Sequence, residues 1–190
     1  MAGGVKCDCR QLKQLRDNLT KLQDADMEKF CTDMSKELAK KLLALVIPAT
    51  PVGDYSREVT VVAKRTGKKH IKGEVYTKSV NTSGKKGGTL RRGWTARTQA
   101  EAQSGSGKGS NAAEFAATMA VKRVGTTYTI EVINPVEYAS YVEFGHRTRG
   151  GNGWVEGQYF LTNSENEIRK HAPAWIEARL KRLLQEAFNV

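Results

Sequence analysis

The chain has 190 residues, 39% hydrophobic and 27% charged, with 31 Lys and Arg against 20 Asp and Glu for a formal net charge of +11. That length suits one domain with a sizeable core, and the slightly polar composition leaves some of it for loop or arm. No apolar run approaches the ~20 residues of a membrane span, because Leu42 to Ile47 is broken by Pro48, and no apolar signal region opens the chain, so a soluble protein made in a cytoplasm is expected.

Leu12, Leu15, Leu19 and Leu22 stand three and four apart and predict a helix over 10–23. Met27, Phe30, Met34, Leu38, Leu42 and Leu45 predict a second over 27–45, with these side chains as its apolar face. The step from Leu22 to Met27 turns the stripe by about 140°, so two helices are expected, with Asp24 and Asp26 capping the second and Pro48 and Pro51 stopping it. Residues 58–64 and 70–80 read as two strands joined at Gly67. The Gly- and Ser-rich pieces around 81–94 and 103–113 read as loops. Residues 115–124 and 126–133 read as a hairpin about Gly125, in which Tyr128, Ile130 and Val132 alternate with Thr129, Glu131 and Ile133. Asn134 and Pro135 end it. A short helix over 136–144 follows, closed by Gly145 in a left-handed cap, and a Gly-rich loop leads to a helical stretch over 159–188 that Pro173 kinks or splits.

The segment from Asn134 to Phe160 joins a strand end, a Tyr-rich amphipathic turn and a Gly-rich loop, and it holds no catalytic set. Its pattern of Asn134, Tyr138, Ala139, Tyr141, Val142, Glu143 and Gly145, then Val155 and Gly157 before a long helix, resembles the neck or tail-completion proteins that join head and tail in long-tailed bacteriophages. Thr50 to Tyr55 (TPVGDY) and Leu90 to Trp94 (LRRGW) resemble a second block of that family, here separated by about 35 residues. The resemblance covers most of the chain outside roughly 56–89 and 98–112. It implies a virion structural protein at the head–tail junction, acting as a ring of copies, with six favoured by tail symmetry. The implied partners are itself, a head connector or head-closure protein, and tail-tube or tail-terminator proteins. Tyr138, Tyr141, Val142, Glu143, Phe144 and Trp154 are the expected interface residues.

Charge is the second signal. Between Lys64 and Arg92 ten Lys or Arg face one acid, Glu74, so this stretch carries +9 of the +11. Lys64, Arg65, Lys68, Lys69, Lys72, Lys85, Lys86, Arg91 and Arg92 form the expected basic arm. Three readings stay open: a solvated hairpin that confers solubility, an arm docking on an acidic neighbour, and a sequence-independent contact with the DNA backbone, weak if the genome passes through a ring. A basic nucleic-acid-binding protein is the alternative to the ring reading as a whole.

Enzyme chemistry fails on inventory. The run GSGKGS does not satisfy the phosphate-loop spacing, and His146 beside Glu143 and Arg147 lacks a nucleophile, a metal or a second positioned carboxylate. Cys7, Cys9 and Cys31, with His70, His146 and His171 scattered, supply neither a zinc spacing nor a disulfide framework. No catalytic residue, metal or cofactor is expected, and Trp94, Trp154 and Trp175 read as core or interface anchors. The expected fold is a single α+β domain over 1–190. A small, mainly antiparallel sheet is packed by N-terminal helices (10–47) and a C-terminal helix or helices (159–188). A basic hairpin and loop (56–92), a second hairpin (112–134) and a Tyr/Gly docking segment (135–158) lie between.

Overall fold

The computed structural model describes residues 24–81, 83, 87–105 and 112–188, so the helix expected over 10–23, with Cys7 and Cys9 before it, lies outside the described residues. In chain order the elements are α1 (Asp24–Ala49), β1 (Arg57–Val62), β2 (Val75–Val80), α2 (Thr89–Gly93), α3 (Gln99–Ser104), α4 (Ala112–Thr118), β3 (Val121–Val124), β4 (Thr127–Ile130), α5 (Ala139–Phe144), β5 (Gly145–Arg147), β6 (Trp154–Glu156) and α6 (Phe160–Phe188). The fold is α+β. In place of the single small sheet expected, the described strands form three separate antiparallel hairpins, β1–β2, β3–β4 and β5–β6. Helices occupy the connections between them, α2 to α4 before β3 and α5 before β5, so the hairpins never meet edge to edge.

Helix α1 is the spine, packed by α6, α4 and the β3–β4 hairpin. Its buried stripe is Ala39, Leu43 and Val46, continued by Thr50 just past its end, with Met34 buried one turn earlier. That stripe is displaced from the leucine face expected: Leu38 and Leu42 are only half-buried, while Met27 and Leu45 are exposed. Apolar residues stand on two sides of α1, and the core side uses an alanine and a threonine that a count of large side chains passes over. Asp26 lies inside the helix rather than at its cap.

Pro48 does not stop α1, which runs to Ala49. A proline in the last turn removes one donor, but the ladder resumes at Thr50, and the carbonyls at the helix end find further partners in side chains. The Val46 carbonyl accepts both the Thr50 N–H (2.9 Å) and the Thr50 hydroxyl (2.6 Å). The Thr50 hydroxyl oxygen in turn accepts the Trp94 indole N–H at 2.7 Å. Arg91 donates to the Pro48 carbonyl at 3.1 Å and twice to the Thr50 carbonyl, at 2.7 and 3.1 Å, placing a cation where the helix dipole is negative. The separated blocks TPVGDY and LRRGW therefore meet in space.

Trp94 is 2% exposed and meets Phe160, the first residue of α6, edge to face at 6.1 Å. Around this pair close Leu90, Ala96, Ala102, Ala116 and Val136. Gly93 is required at its position, since a Cβ there would run into Asn134 Oδ1 and lie 2.9 Å from Val136 Cγ2. The Asn134 side chain spans the gap, donating to the Leu90 carbonyl (2.8 Å) and accepting the Val136 N–H (3.2 Å).

Two further departures have local causes. Residues 112–118 are helical although the stretch reads as strand from Phe115, because four alanines lie within that helix and the β-branched run begins only at Val121. The burial alternation expected from Tyr128 to Ile133 is present, but the ladder ends at Ile130. Helix α6 is one element with Pro173 inside it; Lys41 of α1 lies 4.3 Å over its Trp175 ring.

Replacing Thr50 by Val keeps the shape and leaves the buried Trp94 N–H without its acceptor, so urea denaturation should show a loss of ~1–3 kcal/mol. Thr50→Ser should recover most of it.

Candidate functional site

The docking segment hangs on two anchors. At its start Asn134 and Pro135 make an Asx turn locked to α2, as above, and Val136 is buried. Helix α5 has six residues, too few to be stable alone. Its inward side is Ala139 and Val142, which pack on the core, together with Glu143. Its outward side is Tyr138, Tyr141 and Phe144, at 40%, 58% and 58% exposure, spaced three apart along one face.

Glu143 is not a surface residue. It is 3% exposed, and its carboxylate accepts the Leu161 N–H (2.9 Å), the Thr162 N–H (2.8 Å) and the Thr162 hydroxyl (2.7 Å). A carboxylate on the free N–H groups of a first turn satisfies donors the ladder cannot reach and faces the positive end of the dipole. Glu143 therefore caps α6 from a distance and is unavailable to a partner. Val142, also expected at the interface, is half-buried, and its carbonyl accepts the Gln158 N–H at 2.9 Å.

The Gly-rich loop after α5 is itself a hairpin. Gly145 does not form a left-handed cap: its φ of 85° and ψ of 172° run the chain directly into β5. In β5–β6, Arg147 stands opposite Trp154 and His146 opposite Val155. Trp154 (54%) and Val155 (43%) are exposed, and Tyr141 meets the His146 ring at 5.8 Å. Tyr159 follows with a positive φ of 49° and is 44% exposed.

A groove flanks α5 on each side. One, of about 320 Å³, is lined by Val52, Tyr55, Leu90, Tyr138 and Val142 among others. Loss of water around the Tyr138 hydroxyl, then the neighbouring Tyr55, raises its pKa above the ordinary value. The other, of about 410 Å³ and mostly apolar, is lined by Trp94, Ile133, Val136, Phe144, Phe160 and Leu161 among others. Val52, Tyr55, Ile133 and Tyr159 belong to this surface and were not singled out by sequence reasoning, and Val155, named there only as a motif residue, joins them. Val52 and Tyr55 had a signal, since both lie in the TPVGDY block.

The basic residues separate into three groups. Lys64, Arg65, Lys68, Lys69 and Lys72 are exposed on the connection between β1 and β2. Lys85 and Lys86 lie outside the described residues. Arg91 and Arg92 do not belong to the arm. Arg91 caps α1, and Arg92 donates to the Ala102 carbonyl (3.0 Å), the Gly87 carbonyl (3.1 Å) and the Thr89 hydroxyl (3.3 Å), tying α2 to α3. Both sit beside carbonyls left over at helix ends, which a charge count cannot see.

Among the described residues no three His, Cys, Asp or Glu side chains converge as metal ligands, and Cys31 is a half-buried free thiol. No described helix is long and apolar enough to cross a membrane. The site is thus an apolar, aromatic surface on a short helix fixed from behind, the kind of feature that binds protein surfaces.

A family model described as "Bacteriophage HK97-gp10, putative tail-component" matches residues 13–82 and 78–145. The chain belongs to this family of phage tail components. The first matched stretch runs through the β1–β2 arm and the two overlap over residues 78–82, at the end of β2, while Val155 and Gly157 lie beyond the second. No curated protein and no solved structure matches the chain. Membership points to a structural, virion-associated role rather than a catalytic one.

Glu143→Ala should strand the Leu161 and Thr162 N–H groups and lower stability by ~1–3 kcal/mol in urea titration, with helical circular dichroism lost first.

Proposed function

We propose that this protein assembles into a ring, of six copies by tail symmetry, at the junction of head and tail, where it completes the tail and joins it to the head. The observation that carries the reading is the row Tyr138, Tyr141 and Phe144, with Trp154 beside it, held outward on a helix whose inner side is buried. Membership in a tail-component family supports the setting. In a ring, two different patches of each subunit meet around the axis, and the rotation between neighbours closes it. The aromatic row supplies one patch. The apolar groove beside Phe144 is suited to receive part of another. The head connector or head-closure protein takes one end of the completed ring, and the tail-tube or tail-terminator protein the other. The work done is assembly in the host cytoplasm, with repeated contacts summed around the ring, and no chemical step is required.

Two outcomes test this. Tyr141→Ala with Phe144→Ala should reduce ring formation, each truncation costing on the order of 2 kcal/mol if central, as read by light scattering after size exclusion. An unchanged oligomer would remove this face from the interface. Deleting the gene from its phage should leave filled heads apart from tails, or tails of abnormal length, in negative-stain micrographs; intact infectious particles would refute the junction role.

A further inference from the structure

The β1–β2 ribbon stands apart from the rest of the fold. Its strands pair with each other over six cross-strand positions, a length of roughly 20 Å, and with no other described strand. One of its faces is open, with the paired Val62 and Val75 54% and 64% exposed, while Val59, Val61 and Tyr76 on the other face are half-buried. Beyond the ladder the connection is ordered by its own backbone. The Ala63 N–H donates to the Glu74 carbonyl and the Gly73 N–H to the Ala63 carbonyl, both at 2.9 Å. The Gly67 N–H donates to the His70 carbonyl at 2.9 Å, and the Lys72 N–H to the Thr66 hydroxyl at 3.2 Å.

On this tip stand Lys64, Arg65, Lys68, Lys69 and Lys72, all exposed and without an ion-pair or side-chain hydrogen-bond partner among the described residues. The nearest acid is already engaged: the Glu74 carboxylate accepts the Ile71 N–H (2.8 Å) and contacts His70 Nδ1 (3.2 Å), and those bonds hold its pKa below the ordinary value. The field of five cations is therefore left uncompensated. Four of the five are lysines, mobile point charges rather than planar forks. Such charges can follow a repeating line of phosphates without demanding a fixed bidentate geometry, which is what contact without regard to sequence needs. The arm's aromatic, Tyr76, has one ring face covered by His70 at 3.9 Å between ring centres and nearly parallel, so that face is not free to stack on an unpaired base. A two-stranded ribbon is also of a width that the major groove of a duplex admits.

We infer that the β1–β2 arm binds duplex DNA without regard to sequence, through contacts of Lys64, Arg65, Lys68, Lys69 and Lys72 with the phosphate backbone. The inference does not rest on the ring, because the arm carries all of its cations on one chain.

The test is fluorescence anisotropy of a labelled mixed-sequence duplex of about 30 base pairs with the full chain, over about 50–200 mM salt. Five phosphate contacts give a slope of log affinity on log salt of about −4.5, a fall of about 500-fold over that range. Lys68→Gln, Lys69→Gln and Lys72→Gln together should weaken the slope to about −1.8, a fall of about tenfold. An equal charge change on α6, with Arg169→Gln, Lys170→Gln and Lys181→Gln, should leave it near the unmodified value. The arm packs chiefly on itself, and an unchanged melting temperature of the arm variant confirms that the fold is intact. No binding at the low-salt end would overturn the inference and leave the arm to an acidic protein surface. Equal loss of slope in both variants would also overturn it, as would tighter binding of the single strand than of the duplex. None of these failures touches the ring proposal, whose readout is oligomer size.

Discussion

The bond from the Trp94 indole to the Thr50 hydroxyl closes the fold. Trp94 sits at the centre of the core, and its one polar atom has to be met there because an unpaired buried donor costs more than a made bond returns. Thr50 is placed to meet it only because α1 continues through Pro48 and ends with its hydroxyl turned back on Val46. The same turn offers the carbonyls of Pro48 and Thr50, and Arg91, three residues before Trp94, takes both. Asn134 then fastens the far side of α2, filling the space a side chain at residue 93 would need. Three places remote in sequence are thereby tied at one knot, and no buried side-chain polar atom is left without a partner among the described residues.

The residues that carry the family resemblance divide into two kinds. Thr50, Leu90, Gly93, Trp94, Asn134 and Glu143 face inward and set the scaffold. Tyr138 and Tyr141 face outward and are displayed by it, with Phe144 in the same row. A helix as short as α5 presents side chains in a fixed direction only when its ends are held, and Glu143 and the Asx turn hold them. The apolar face and the charged arm are distinct features of the chain, and they respond to different variables: burial of the first gains little from low salt, whereas the field of the second is screened within about 8 Å at physiological ionic strength.

Much of the element plan was legible because long periodic runs speak for themselves: α1, α6 and the alternation from Tyr128 stand where their periods put them, although Pro48 and Pro173 lie inside the helices they were expected to stop or break. What failed was local in cause. Alanine-rich residues 112–118 carry no strand signal of their own, and the strand reading borrowed one from the valines that follow. The residues 70–74 read as strand continue the pattern of β2, yet a turn at Gly73 occupies them, closed by the Glu74 N–H on the Ile71 carbonyl. Side-chain roles were less legible. Glu143 looks like any helix-surface acid until the first turn of α6 is seen beside it, and Arg91 and Arg92 count as arm charges until the helix ends they cap are known. Tyr141, Phe144 and Trp154 could be singled out as candidates from composition, but their exposure follows from which side of α5 and β6 the core occupies, which no spacing specifies.

The closure of the arm has a consequence for chain statistics. The ribbon leaves and re-enters the fold where Gly87 lies against the Gly53 carbonyl too closely for any side chain, with 33 residues between. For a flexible loop each doubling of length costs only about 0.6 kcal/mol, so growing a turn of about four residues to this size costs about 2 kcal/mol in closure entropy. Pairing along the ribbon offsets part of that. Each further cross-strand pair would move the tip outward by about 3.4 Å while the closure, and the core inward of it, stay as they are. The reach of the arm is a dimension this architecture can set almost independently of its stability.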